Sequence, residues 1–290
     1  MKVELRKPIT LKISPEAFKP VKPVQVFDDL YYIGNQLVGI HILKTSEGLV
    51  LIEAMDKSDI LEEFYIPGIK ELGLDDEPVL ALLLTHGHFD HIGGAFAIQN
   101  HTGCKVGMSL EDAAYMVSCD ENTKENHVDF PYVNMILEHD KDYVFGDHTI
   151  HVQFAPGHTP GCLNFFFDVH DHGVKHRVAM MGGYGVFGPG QYEGGREYPY
   201  SLQHAVNNAF TFAASCVKFW EYCKATNCDI YLNPHPHLCE YFDHVEADRN
   251  RKDGEATAFA IGLEGIREWI LDRYDVCTVS ADSFTDLVKE

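Results

Sequence analysis

Thr85-His86-Gly87-His88-Phe89-Asp90-His91-Ile92-Gly93-Gly94 is the stretch on which the reading of this chain turns. It follows an apolar run over residues 79–84, short enough for a fully buried strand and ending abruptly in polar residues. Three imidazoles and one carboxylate then fall within six positions. Imidazole nitrogen and carboxylate oxygen are the ligands that borderline divalent metals such as zinc accept. His86 and His88, two residues apart, project to one side of an extended segment, while Asp90 and His91 sit where the chain bends toward its next element. One metal could take the first pair and a second metal the other. The plainer alternative, a His-rich surface loop, fits poorly between a buried strand and a Gly93-Gly94 pair that opens a helix.

Working back from this stretch, residues 24–27, 30–33, 37–43 and 49–52 read as strands, separated by turns at Asp28-Asp29, Gly34-Asn35 and 46–48, which makes an antiparallel meander. The last of these strands ends in Glu53, either a support for the metal motif or a plain strand-end charge. Residues 58–72 carry helical spacing that Pro67 kinks or splits. Residues 8–23, punctuated by four prolines, form a strap that cannot hold a long helix. Working forward, a helix over 95–101 leads to a strand at 104–108, and Ser109 has the character of an N-cap with Glu111 and Asp112 in the first turn of a helix to about Ser118. Residues 120–132 read as a loop in which His127 is solvated, and 135–137, 142–145 and 149–154 as hairpin strands with a turn at Gly146-Asp147.

The second informative stretch is Ala155-Pro156-Gly157-His158-Thr159-Pro160-Gly161-Cys162. It lies between two strands, so His158 stands on a Pro- and Gly-defined loop that fixes a ligand without the entropy cost of a mobile chain. His170, His172 and His176 surround Gly173 and read as a solvated hairpin tip. The strand over 177–181 ends in Gly182-Gly183-Tyr184-Gly185, and the Gly-rich segment 182–195 lacks the Gly-Lys-Ser/Thr ending of a phosphate cradle. It is read either as a substrate-facing loop with Tyr184, Phe187 and Tyr192 as apolar walls or as a permissive connector. A long amphipathic helix over 201–226 supplies core aromatics. The final strand, 229–232, ends in Asn233-Pro234-His235-Pro236-His237, and after a charged loop over 248–253 a helix over 256–274 closes the chain.

His-x-His-x-Asp-His followed by Gly-Gly resembles the signature of the metallo-β-lactamase superfamily, and Gly157-His158-Thr159-Pro160-Gly161 and Asn233-Pro234-His235-Pro236 resemble its later motifs in the same order. The resemblance runs from about Val24 to at least His237 and is greatest to the third metallo-β-lactamase subclass. It implies an α/β fold, a four-layered αβ/βα sandwich, with the N-terminal strap at 1–23 and a single domain over 24–290. It also implies two zinc ions, one on His86, His88 and His158, the other on Asp90, His91 and His235, with His237 as the reserve for the last ligand. Two departures stand out. Glu53 occupies a position where Asp is usual, and 182–185 offers neither the bridging Asp nor the Cys ligand that many members place there, which speaks against thioesterases of the glyoxalase type.

Composition narrows the function. A formal net charge of −21 opposes nonspecific binding to nucleic acid or to anionic lipid, both of which need a basic face. A small molecule is the expected partner. No signal-like apolar stretch begins the sequence, no run reaches membrane-spanning length, and the eight scattered cysteines contain no Cys-x-x-Cys pair, all of which points to the cytoplasm. The implied chemistry is hydrolysis of a carbonyl substrate by metal-bound hydroxide, with Asp90 as the catalytic residue that orients water. A β-lactam-like cyclic amide is the leading substrate class; a lactone, ester or thioester is the alternative. A non-hydrolytic metal-binding or redox protein is the reading from a different class, and the intact His88 speaks against it, since di-iron relatives favour Glu there.

Overall fold

Successive side chains of the first strands point to opposite faces, and both faces are buried, so the sheet they form needs cover on both sides. The computed structural model describes residues 15–56, 59–119, 121–186 and 202–289. β1 (Val24–Gln25), β2 (Leu30–Gly34), β3 (Gly39–Thr45) and β4 (Gly48–Ile52) make the expected antiparallel meander. After α1 (Ile66–Glu71) the chain returns as β5 (Val79–Leu83), parallel to β4. α2 (Phe89–Ile92) and α3 (Ala95–Thr102) lead to β6 (Lys105–Met108), parallel to β5, and beyond α4 (Leu110–Ser118) the short β7 (Met135–Ile136) completes a seven-stranded sheet. The second sheet has five strands: β8 (Lys141–Phe145), β9 (His148–Phe154), β10 (Leu163–Asp171), β11 (Val174–Met180) and, across α5 (Leu202–Thr226), the parallel β12 (Ile230–Leu232). α6 (Tyr241–Arg249) and α7 (Gly262–Lys289) follow.

The alternation assigns the layers. Tyr32, Val50, Ile52 and Leu83 share one core with Val152, Phe165 and Phe167 of the second sheet, while Phe166 of β10 points the other way onto Phe219 and Tyr222 of α5. Ile33, Leu51, Leu82 and Leu84 face the other way, onto Phe64, Ile98 and Met116 of the first helical layer. The result is the four-layered αβ/βα sandwich. Each fully buried side chain among these contributes roughly 1.5–3 kcal/mol of transfer free energy.

Several elements depart from the sequence reading. Pro67 sits in the first turn of α1, where its missing N–H costs nothing, so the helix restarts after a π-helical turn at Leu61–Tyr65 and is not kinked. Residues 135–136 join the first sheet instead of the hairpin, because Asn134 bonds Val106 through both its backbone N–H and its side chain. α6 was not anticipated. The last helix begins at Gly262, later than expected: Asp248 holds Thr257 and the Ala258 N–H, and Gly262 (φ +66) breaks the preceding chain. The strap's residues 1–14 lie outside the described residues. No helix among the described residues is long and apolar enough to cross a membrane.

The histidines of the hairpin tip are not simply solvated. His172 is exposed, but the carboxylate of Asp29 accepts from His170 Nδ1 at 2.6 Å, from His170 N–H at 2.9 Å and from His148 Nε2 at 3.0 Å. His148 Nδ1 in turn faces Asp147 Oδ1 at 3.0 Å. These separations suit charge-assisted hydrogen bonds, and Asp29, His148 and His170 also form a third cluster of metal-ligating atoms. Burial pushes His148 down, yet its bonds to Asp29 and Asp147 outweigh that and raise its pKa. A raised folded pKa gives stabilisation that is full below the unfolded value near 6.5 and fades as pH rises through the folded one. His148→Gln is therefore expected to lower unfolding free energy by about 1–2 kcal/mol at pH 6 and by less at pH 9, read from urea midpoints. A loss independent of pH would show that His148 is neutral in the fold.

Candidate metal centre

The parallel order of β4, β5 and β6 brings the ends of β4 and β5 side by side, so Glu53 and the stretch 84–94 meet at one edge of the sandwich. The second sheet delivers the loop 155–162 between β9 and β10, the segment after β11 and the turn after β12 to the same edge. His88 holds extended backbone (φ −76, ψ 152) and then α2 begins, turning Asp90 and His91 away from His86 and His88. Gly157 (φ +126) lets the 155–162 loop press against Phe212 of α5, where a Cβ would strike the helix backbone.

Two trios of donor atoms result: His86, His88 and His158, and Asp90, His91 and His235. His158 Nε2 lies 3.1 Å from both His88 Nδ1 and His86 Nε2. In the second trio His91 Nε2 lies 3.2 Å from His235 Nε2, and each lies 3.6 Å from Asp90 Oδ2. A tetrahedral ion with ligands at zinc's usual distance of about 2.0–2.1 Å has ligand-to-ligand edges of about 3.3 Å. Both trios match that edge. The His86 and His91 rings lie 4.0 Å apart between centroids, so the trios are adjacent.

Each imidazole also has its other nitrogen occupied, the arrangement that fixes tautomer and ring orientation in metal ligands. His86 Nδ1 meets Thr85 Oγ1 at 2.9 Å, and His88 Nε2 meets Tyr115 Oη at 3.1 Å. His158 Nδ1 donates to the Gly185 carbonyl at 2.8 Å and His235 Nδ1 to the Leu37 carbonyl at 2.9 Å. His91 Nδ1 meets Glu53 Oε2 at 2.9 Å, while Glu53 Oε1 accepts from Thr85 N–H at 3.1 Å. Glu53 is thus a support for the site, and its left-handed backbone (φ 73) turns the chain out of β4 at that point.

The electrostatics suit cation binding. Burial, assisted by neighbouring imidazoles, holds His86 far below its usual pKa, and burial brings His88 to about 4, His158 to about 3 and His235 to about 3. Burial would lower His91 too, but Asp90 and Glu53 outweigh it and raise its pKa. Desolvation would raise Asp90, yet the neighbouring imidazoles, His91 foremost, hold it down at about 2. At neutral pH four of the histidines are neutral imidazoles beside an ionised carboxylate, the protonation state a metal requires.

Of the other residues singled out in the sequence, His237 lies outside both trios, its ring 5.6 Å from that of His235. Tyr184 is half-buried, with the Arg273 guanidinium 3.7 Å from its ring centroid. Phe187 and Tyr192 lie outside the described residues. His127 is exposed and turns back onto Thr123 O. Three residues that sequence reasoning missed as site residues stand behind the histidines: Asp112, Tyr115 and Asn122. Asp112 read only as a first-turn helix acid, and no local pattern marks its distant partners.

Residues 40–173 match the model of the Metallo-beta-lactamase superfamily. The chain is 28% identical over 121 residues to the probable metallo-hydrolase YqgX of Bacillus subtilis (strain 168), covering 40% of this chain and 56% of that protein. It is 24% identical over 148 residues to a hydroxyacylglutathione hydrolase of Rhizobium johnstonii, covering 51% of this chain and 48% of that one. The chain thus spans about half the length of these curated relatives. The crystal structure of BJP-1, a subclass B3 metallo-beta-lactamase of Bradyrhizobium japonicum, superposes with a TM-score of 0.76 at 23% identity, over 94% of this chain and 98% of that one. That likeness is one of fold.

Proposed function

For this chain of the metallo-beta-lactamase superfamily, we propose the function of a zinc-dependent hydrolase acting on a carbonyl substrate, with a β-lactam-like cyclic amide as the leading class. The observation that carries the reading is the pair of donor trios with tetrahedral edges and every imidazole's second nitrogen occupied. His86, His88 and His158 would hold one ion, and Asp90, His91 and His235 the other. When bound, zinc lowers the pKa of water toward neutrality and offsets charge on a carbonyl oxygen. The chain's own contribution is positional. Asp90, ionised and partly exposed, is placed to orient the attacking water, and Glu53 keeps the His91 ring turned toward the site. No Ser or Cys nucleophile is required.

The cyclic-amide preference rests on the donor set. Residues 182–185 supply neither a bridging Asp nor a Cys ligand, and a Cβ at Gly183 would press into the His158 side chain. A lactone, ester or thioester is the second reading, supported by the sequence matches to a hydroxyacylglutathione hydrolase and to an N-acyl homoserine lactonase of Bacillus thuringiensis. A panel of one chromogenic β-lactam, one acyl-homoserine lactone, one thioester and one phosphodiester tests the proposal. Turnover of a carbonyl substrate that disappears with chelator and returns with zinc is expected, with the β-lactam fastest. Phosphodiester cleavage is expected to be absent, because a net charge of −21 repels polyanions. Robust phosphodiesterase activity with silence on all three carbonyl substrates would overturn the reaction class.

A further inference from the structure

His86 and His88 arrive from the first sheet and His158 from the second, so something outside these loops must set the distance between them. One buried carboxylate, Asp112 at the start of α4, does so. Its Oδ2 accepts from Gly87 N–H at 2.8 Å and from Thr159 Oγ1 at 2.6 Å, and its Oδ1 accepts from Gly161 N–H at 2.6 Å. Gly87 lies between His86 and His88, and Thr159 and Gly161 directly follow His158. The surrounding contacts reinforce the link. Ser109 caps α4 by accepting from Asp112 N–H and donates its hydroxyl to Gly161 O at 2.7 Å, and Asn122 donates to Gly87 O at 2.7 Å. Tyr115, on the next turn of α4 from Asp112, faces His88 Nε2.

The second trio is supported by different parts of the fold. His91 is turned by Glu53 after β4, and His235 by the Leu37 carbonyl and by Asn233, whose side chain accepts from His235 N–H at 2.9 Å and donates to Met181 O at 3.0 Å.

We infer that Asp112 is a positioning residue for one metal site only: by bonding both ligand loops at once it assembles the His86, His88 and His158 trio, while the Asp90, His91 and His235 trio stands independently of it. The two ions of the proposed function are therefore held by separable scaffolds, α4 for one and the β4 end with the β12 turn for the other. The inference rests on the metal-binding reading above. Three charge-assisted hydrogen bonds to one carboxylate are individually strong, and loss of such an outer partner costs a ligand set roughly 10- to 100-fold in affinity.

The test is zinc competition against a chromophoric chelator with the full-length, zinc-loaded protein. Asp112→Asn should keep one tightly held zinc and weaken the other roughly 10- to 100-fold. In a His235→Ala background, which leaves the first trio alone, the same change should weaken the remaining ion by the same factor. Glu53→Gln, whose amide oxygen can still accept from Thr85 N–H while the carboxylate facing His91 Nδ1 is lost, should loosen the second site more than the first. If Asp112→Asn does not fold, Thr159→Val decides, since it removes one donor and leaves both backbone donors: weakening confined to the first site supports the inference, and unchanged affinity overturns it. A wild type that binds two zinc ions beside an Asp112→Asn that loosens both equally, or neither, also overturns it, because a merely structural carboxylate would lower the metal-free melting point without distinguishing the sites. Wild-type protein that takes up no zinc defeats the proposed function instead.

Discussion

Stripping the purified protein of divalent metal with a strong chelator should abolish hydrolysis, and zinc should restore it at about two ions per chain. The donor atoms already sit at tetrahedral edge distances of 3.1–3.6 Å, and His86, His88, His158 and His235 are neutral at pH 7, so uptake needs little rearrangement. Lewis acidity at such an ion contributes several kcal/mol to the transition state, and 4 kcal/mol is about a thousandfold in rate. His86→Ala should show a loss of that order even with zinc in excess, because it removes a fully buried ligand that no neighbour can replace. Elemental analysis before and after dialysis gives the stoichiometry, and initial rates on the best substrate of the panel give the effect. Protein that takes up no metal after zinc resupply, or activity indifferent to chelator, would sink the metal-centre reading.

The parts of this centre that can be read from sequence are those whose chemistry is local. His86 to His91 follow a buried strand directly, and His158 stands in a loop whose Pro and Gly residues restrict the backbone, so composition and spacing suffice to mark them. The supports behind them are another matter. Glu53 precedes His91 by 38 positions, and Asp112 precedes Gly161 by 49, so their meaning appears only when parallel strands and two sheets bring distant loops together. An Asp in a first helical turn is ordinary on dipole grounds alone, which hid the second use of Asp112. The same logic explains α6: it buries only Tyr241 and Val245, too few apolar positions to mark an amphipathic helix. Asp29 likewise looked like a turn residue, and only the packing of the β8–β9 and β10–β11 turns beside it reveals the two histidines it binds.

The two histidines after β12 offer the sharpest distinction within the site. His235 Nε2 points at His91 Nε2 and Asp90 Oδ2, while His235 Nδ1 is fixed on the Leu37 carbonyl, so one nitrogen is anchored and the other is free to bind. His237 is two residues on, in the short 3-10 turn Pro236–Leu238, with burial lowering its pKa and its ring near the backbone of Gln36 and Leu37. Pro234 and Pro236 restrict the chain on either side of His235, so the two imidazoles cannot readily exchange places. His235→Ala should therefore empty the second site, leave the first occupied and take the protein from about two zinc ions to about one, with hydrolysis falling roughly a hundredfold or more. His237→Ala should leave the stoichiometry unchanged and alter rates only a few-fold, as expected for a neighbour that shapes the loop without touching the metal. Metal analysis of both variants side by side decides between them: loss of one ion from His237→Ala with retention in His235→Ala would move the ligand two residues along the chain and leave Asp90 and His91 facing a different partner.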